Sequence, residues 1–291
     1  MMRVVETFAS HLHQPDASVE LLAFDIAAVA APHLDVAAQL ARIDLLAQLA
    51  GARLGSSTID QPSAAEFLQV FTGDLAFHGN QDDYYDPRNS LLDAVIERRT
   101  GLPIMLCLLC IAIGRRLGLR VDGLGFPNHF MARFVDGEGE WLIDPFHNAV
   151  VAAWEAEEYL ASVVGRRMTL TQELFEPVTA RDMALRILNN LRAAYFMRSE
   201  VDRLLDVLRL QAVMVPENPH LWRDRAVLHF RQEAWEEAAH DLRRYFSLLG
   251  ALPHLFPDDV QSAFDLSPLD SEDRKLVAMH RRITHVLNHL N

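Results

Sequence analysis

Two cysteines, a histidine and an aspartate carry most of the chemistry this sequence can offer. Cys107 and Cys110 sit three residues apart in an apolar run from Leu102 to Ile113; His129 and Asp144 follow. Thiol-based acyl transfer needs a cysteine at a helix N-terminus, where the dipole and an imidazole favour the thiolate. It also needs a histidine to hold the proton and a carboxylate or amide to orient that histidine. A C-x-x-C pair alternatively suggests redox chemistry or half a zinc site, but the chain holds no second cysteine pair. Among leucine, isoleucine and methionine, cysteines behave as small buried hydrophobes, and such surroundings raise the thiol pKa.

Two other clusters resemble metal sites. Asp82, Asp83, Asp86 and Asn89 fall within ten residues of turn-forming sequence. That stretch has neither the turn glycine nor the closing glutamate of an EF-hand. It reads instead as a rigid loop, Asp86-Pro87-Arg88-Asn89-Ser90, whose side chains satisfy backbone groups. His11 and His13 form an H-x-H near the start of the chain, and no metal is expected there. No cofactor is expected either.

The elements that must position these groups can be read from periodicity. Apolar residues recur at helical spacing from about Ser18 to Leu54, interrupted by Pro32, and again from Ala65 to Phe77. Ser90 and Asp93 have the spacing of a capping box for a helix from Leu91 to Arg99. The apolar run then predicts a buried helix with Pro103 in its first turn, ended by Gly118. From Leu119 the period changes to two, giving strands over 120–126, 129–135 and 138–144, with turns at Pro127-Asn128 and Asp136-Gly137. A two-residue turn there puts Arg133 opposite Glu140, Met131 opposite Leu142 and His129 opposite Asp144. The last pair would have Cβ atoms about 5 Å apart.

Beyond about Thr179 the chain is helical, with a weak 34-residue repeat: Leu188 recurs as Trp222, Tyr195 as His229, Leu204 as Ala238 and Leu208 as Leu242. That period suits tetratricopeptide-type helix pairs, in which Trp222, Tyr195 and Trp235 would be packing residues. A final helix is expected over 270–290.

The whole chain has 291 residues, 27 basic against 40 acidic, and a net charge of −13; Lys275 is the only lysine. Scattered arginine pairs on an acidic chain argue against nucleic-acid binding and anionic membranes. The apolar run is too short to span a membrane, and the N-terminus carries acid and histidine where a signal peptide would be apolar. A soluble cytoplasmic protein is expected.

Five segments, in order, resemble the SirB family of bacterial transglutaminase-like proteins. They are the stretch from Phe77 to Ser90, Arg98-Arg99-Thr100-Gly101-Leu102-Pro103-Ile104, Arg116-Leu117-Gly118-Leu119, Pro127-Asn128-His129-Phe130 and Ile143-Asp144-Pro145-Phe146. Similar domains occur in some eukaryotic F-box proteins. The resemblance implies an α+β, mostly helical fold: a papain/transglutaminase-like core with a small antiparallel sheet, then a C-terminal helical-repeat region. The expected division is a helical lead-in over 1–78, the core over 79–175 and the repeats over 176–291.

The resemblance also implies that His129 and Asp144 occupy the catalytic histidine and aspartate positions. It supplies no nucleophile. Active relatives place a cysteine two residues after a glycine at the start of the helix ending in Leu-Gly, and here Gly101 is followed by Pro103. Cys107 and Cys110 lie about 6 and 10 Å further along the axis. Asp86, Arg88, Asn89, Pro103 and Asn128 are expected to line the cleft. The leading expectation is a degenerate, non-catalytic binding or regulatory protein with a protein or peptide partner on the helical repeats. The alternative is a papain-like cysteine hydrolase or acyltransferase using Cys107, His129 and Asp144.

Overall fold

The computed structural model describes residues 2–15, 17–55, 62–256 and 269–290. The chain is mostly helical and forms two compact units, Met1–Ser199 and Glu200–Asn291. No helix among the described residues is long and apolar enough to cross a membrane.

The first unit opens with helices α1 (Met2–Leu12), α2 (Val19–Ala27), α3 (Val36–Leu54) and α4 (Ala64–Gln69). Each of the last three starts at a side-chain cap. Ser18 accepts from the Leu21 N–H, Asp35 from the Ala38 N–H, and Ser63 forms a reciprocal capping box with Glu66. A π-helical stretch, Val70–Asp74, extends α4. Next come β1 (His78–Gly79), a 3-10 turn over Pro87–Ser90, α5 (Leu92–Arg98) and β2 (Thr100–Gly101), which pairs parallel with β1.

Helix α6 (Pro103–Arg116) is the centre of this unit. Every residue from Pro103 to Gly114 is buried, as a helix apolar on all sides must be. Each leucine or isoleucine so buried contributes about 1.5–3 kcal/mol relative to exposure. Around it pack α2, α3, the strands β3 (Arg120–Leu124) and β4 (Met131–Val135), and α8 (Ala180–Met197). Gly114 lets β3 approach: a Cβ there would lie 2.5 Å from Val121 Cγ2. With β5 (Glu140–Asp144) and β6 (Ala149–Ala152), these strands form an antiparallel sheet of order β3-β4-β5-β6, followed by α7 (Ala156–Val164).

Two local expectations are corrected. The β4–β5 register pairs Arg133 with Leu142 and Val135 with Glu140, two residues away from a two-residue turn. The cause is Asp136. Its N–H donates to the Gly139 carbonyl, while its carboxylate accepts from the Glu138 and Gly139 N–H groups and the Trp141 indole. A four-residue loop from Asp136 to Gly139 results, with Gly139 at φ 146. A shift of two preserves which face each residue of the ladder occupies, but His129 lies outside the ladder. The strand itself begins at Met131, two residues after His129.

Ser90, second, does not cap α5. Asp86 caps the 3-10 turn by accepting from the Arg88 N–H, so the chain enters the helix one residue later, through an extended Leu91. Ser90 Oγ is left buried without a hydrogen bond.

The second unit contains α9 (Val201–Met214), α10 (Pro219–Arg231), α11 (Trp235–Leu248) and α12 (Ser271–Leu290). Asn218 caps α10 with Pro219 at its first position. Ala226, Ala238, Ala239, Leu242 and Phe246 fill the core with Val277 and Ile283 of α12; Trp222 and Trp235 pack against its edge. The helix of residues 270–290 and these packing roles are as the sequence predicts.

Candidate functional site

Asp144 ends β5, and its carboxylate is the hub of the site. Oδ1 accepts the Phe146 and His147 N–H groups at 3.0 and 3.2 Å. Oδ2 lies 2.6 Å from His129 Nε2 and 2.8 Å from His147 Nδ1, and accepts the Tyr159 hydroxyl at 2.7 Å. Burial alone would push this carboxyl up. The bonds from His129, His147 and Tyr159 more than reverse that and hold it well below the usual carboxylate range. The same burial and the facing carboxylate push the Tyr159 phenol up.

An ionised carboxylate accepts only, so both imidazole nitrogens facing it carry protons. In the neutral tautomer of this ring the lone pair is then on Nδ1, which no group bonds among the described residues. An imidazole anchored through one N–H with the other nitrogen free can take and return a proton.

His129 sits on the loop between β3 and β4, held by its N–H to the Phe126 carbonyl. Asn128 before it is left-handed at φ 60, a conformation asparagine tolerates better than most residues. Beside His129 opens a cavity of about 620 Å³. Pro103 and Ile104 from the first turn of α6, Phe126 and Asn128 from the loop, Tyr84, and Arg186 from α8 contribute to its wall.

The structure brings His129, Asp144, Pro103 and Asn128 together. Asp86, Arg88 and Asn89 are not among the walls of this cavity. They form the support behind it. Arg88 makes a bidentate pair with Asp86, and the fully buried Asn89 donates to the Asp83 and Tyr84 carbonyls. The Asn89 carbonyl accepts the Leu102 N–H, tying the loop to the start of α6. Tyr84, 42% exposed, stands at the rim of the cavity.

Cys107 lies one turn inside α6, fully buried, and its thiol donates to the Phe130 carbonyl at 3.6 Å. Burial, with Cys110 and Asp144 nearby, pushes the thiol well up. Cys110 is likewise buried, with its thiol pushed up by burial and Asp144.

His129, Asp144 and His147 bring three possible metal-ligand atoms within 4.8 Å of one another. Each imidazole N–H bonds the same oxygen, and ligands of one first-row ion at about 2.1 Å would stand further apart than 2.6 Å. The donors as placed therefore fit a proton-filled network better than an ion.

Sequence reasoning missed His147, Tyr159 and Arg186. His147 adjoins the Ile143-Asp144-Pro145-Phe146 segment, so its spacing from Asp144 was available; Tyr159 and Arg186 arrive from distant helices with no local signal.

A buried helix start, a histidine loop and an aspartate-bearing strand ending define a class, and this chain belongs to it: residues 37–189 match the transglutaminase-like superfamily. Residues 191–280 match the tetratricopeptide repeat. Among individual proteins the chain is similar to Protein SirB1 of Salmonella typhimurium, 23% identical over 239 residues covering 82% of this chain and 86% of SirB1. It is 35% identical to a UPF0162 protein of Xylella fastidiosa over 179 residues, 60% of this chain and 63% of the relative, so less than two thirds of that protein is spanned. F-box only protein 21 of Homo sapiens is 28% identical over 254 residues, 83% of this chain and 38% of that protein.

Proposed function

We propose that this protein is a non-catalytic member of its superfamily, a cytoplasmic binding or regulatory protein that keeps the His129–Asp144 pair as part of a ligand cleft. A protein or peptide would be its partner, engaged through the cleft and the tetratricopeptide helices. One observation carries this reading: Pro103 lines the cavity with His129, while the nearest thiol, Cys107, is buried and spends its S–H on the Phe130 carbonyl. A nucleophile must reach both the imidazole and the substrate.

The test is turnover under reducing conditions, with labelled casein for hydrolysis and amine incorporation, and glutamine peptides for ammonia release. No activity above that of Cys107→Ala is expected; activity that Cys107→Ala abolishes overturns the reading. A thiol enzyme is the second reading. The anchored imidazole with its free Nδ1 favours it, since that geometry suits a proton-transfer partner.

A further inference from the structure

We infer that the cavity beside His129 takes a carboxylate-bearing peptide and that Arg186 is the residue that selects the carboxylate. This rests on the binding-cleft reading and names the ligand chemistry of that cleft.

Arg186 is fixed before any ligand arrives. Its Nη2 donates to the Phe126 carbonyl at 2.8 Å and the His129 carbonyl at 2.5 Å, and the guanidinium lies 5.4 Å from the Phe130 ring centroid. Other arginines of this unit face acids: Arg88 and Arg98 face Asp86, Arg116 faces Glu20 and Asp44, and Arg198 faces Asp83. No carboxylate pairs with Arg186 among the described residues. The acid on the cavity wall, Asp182, spends Oδ2 on the Thr179 N–H and hydroxyl at 3.1 and 2.6 Å. Both N–H groups of Nη2 are spent on those two carbonyls, so a carboxylate would meet the guanidinium charge through the separate Nη1 or Nε N–H groups, which bond no protein group among the described residues.

Two further features agree. The first turn of the fourteen-residue α6 forms part of the wall, so its positive end adds to the local potential. Phe126, Phe130, Leu185 and Ile104 give the cavity carbon surface for neighbouring peptide side chains. The chain as a whole carries −13 and repels acidic ligands, so selection of a carboxylate depends on this local cation.

The experiment uses the full chain and an array of amidated octapeptides of varied sequence. Each is made with a central glutamate, with glutamine in its place, and as the glutamine form with a free C-terminal carboxylate. The expected result is binding about tenfold or more tighter for the acidic members of bound sets than for their neutral twins. That ratio falls with added salt, collapses in Arg186→Gln and is partly kept in Arg186→Lys. The two acidic arms tell a side-chain carboxylate from a C-terminal one. Equal binding of acidic and neutral twins to the wild-type chain overturns the carboxylate inference and leaves the cleft reading standing. Full preference retained in Arg186→Gln removes Arg186 from the role. Absence of binding by every peptide overturns both.

Discussion

His129 reaches Asp144 from two residues before its strand begins, closing a 2.6 Å contact between Nε2 and Oδ2. The contact does not depend on the two residues facing each other in the ladder. The loop after Phe126 delivers the imidazole, and the aspartate at the strand end receives it together with His147 and Tyr159.

Asp144→Ala should therefore be among the most damaging single changes in the first unit. It removes the acceptor of two backbone N–H groups, two imidazoles and a phenol. A loss of about 3–5 kcal/mol is expected from breaking a buried charged network on one side. Urea unfolding of the variant beside the wild type measures it.

Acid should weaken the same network. The folded-state pKa of Asp144 lies below its unfolded value of about 4, so its contribution is complete above about pH 4. The contribution is lost as pH falls further toward the folded value, because the unfolded chain binds the proton more tightly. Urea midpoints of the wild type should drop below about pH 4 more steeply than those of Asp144→Asn, which has no such proton to bind.

Much of this arrangement was legible in the chain, for physical reasons. The run from Leu102 to Ile113 has no polar side that could face water, so it had to be a buried helix. The change of period after Leu119 marked the strands, and the nearness of His129 to Asp144 followed, though through the loop before β4 and not through facing ladder positions. The register did not, because Asp136 closes its own loop with side-chain acceptors that strand periodicity does not reveal. The short strands β1 and β2 and the strand β6 carry too few residues for a period. Arg186 comes to the cavity by packing, 57 residues from the His129 carbonyl it binds.

Asp136→Ala tests that account of the hairpin. The variant loses the acceptor for the Glu138 and Gly139 N–H groups, the Trp141 indole and the Ala64 N–H. A destabilisation of about 1–3 kcal/mol is expected by chemical denaturation. Asp136→Asn keeps one acceptor and should recover part of the loss.

Gly114→Ala probes the seat of α6. Its new methyl would meet Val121 Cγ2 at 2.5 Å in a fully packed region, so α6 and β3 must separate slightly. A cost of about 1–3 kcal/mol is expected. Pairing it with Val121→Ala should restore part of the stability, and thermal melts of the single and double variants read the coupling.

The central claim is that the thiol of this superfamily member is structural and not activated by the His129–Asp144 pair. Its most direct test is the rate at which iodoacetamide labels Cys107 in the native full-length chain at neutral pH, read by peptide mass spectrometry. The account predicts negligible native labelling, rapid labelling once the chain is unfolded in urea, and no change in the native rate in His129→Ala that folds as the wild type does. Fast native labelling of Cys107 that slows in His129→Ala would contradict it.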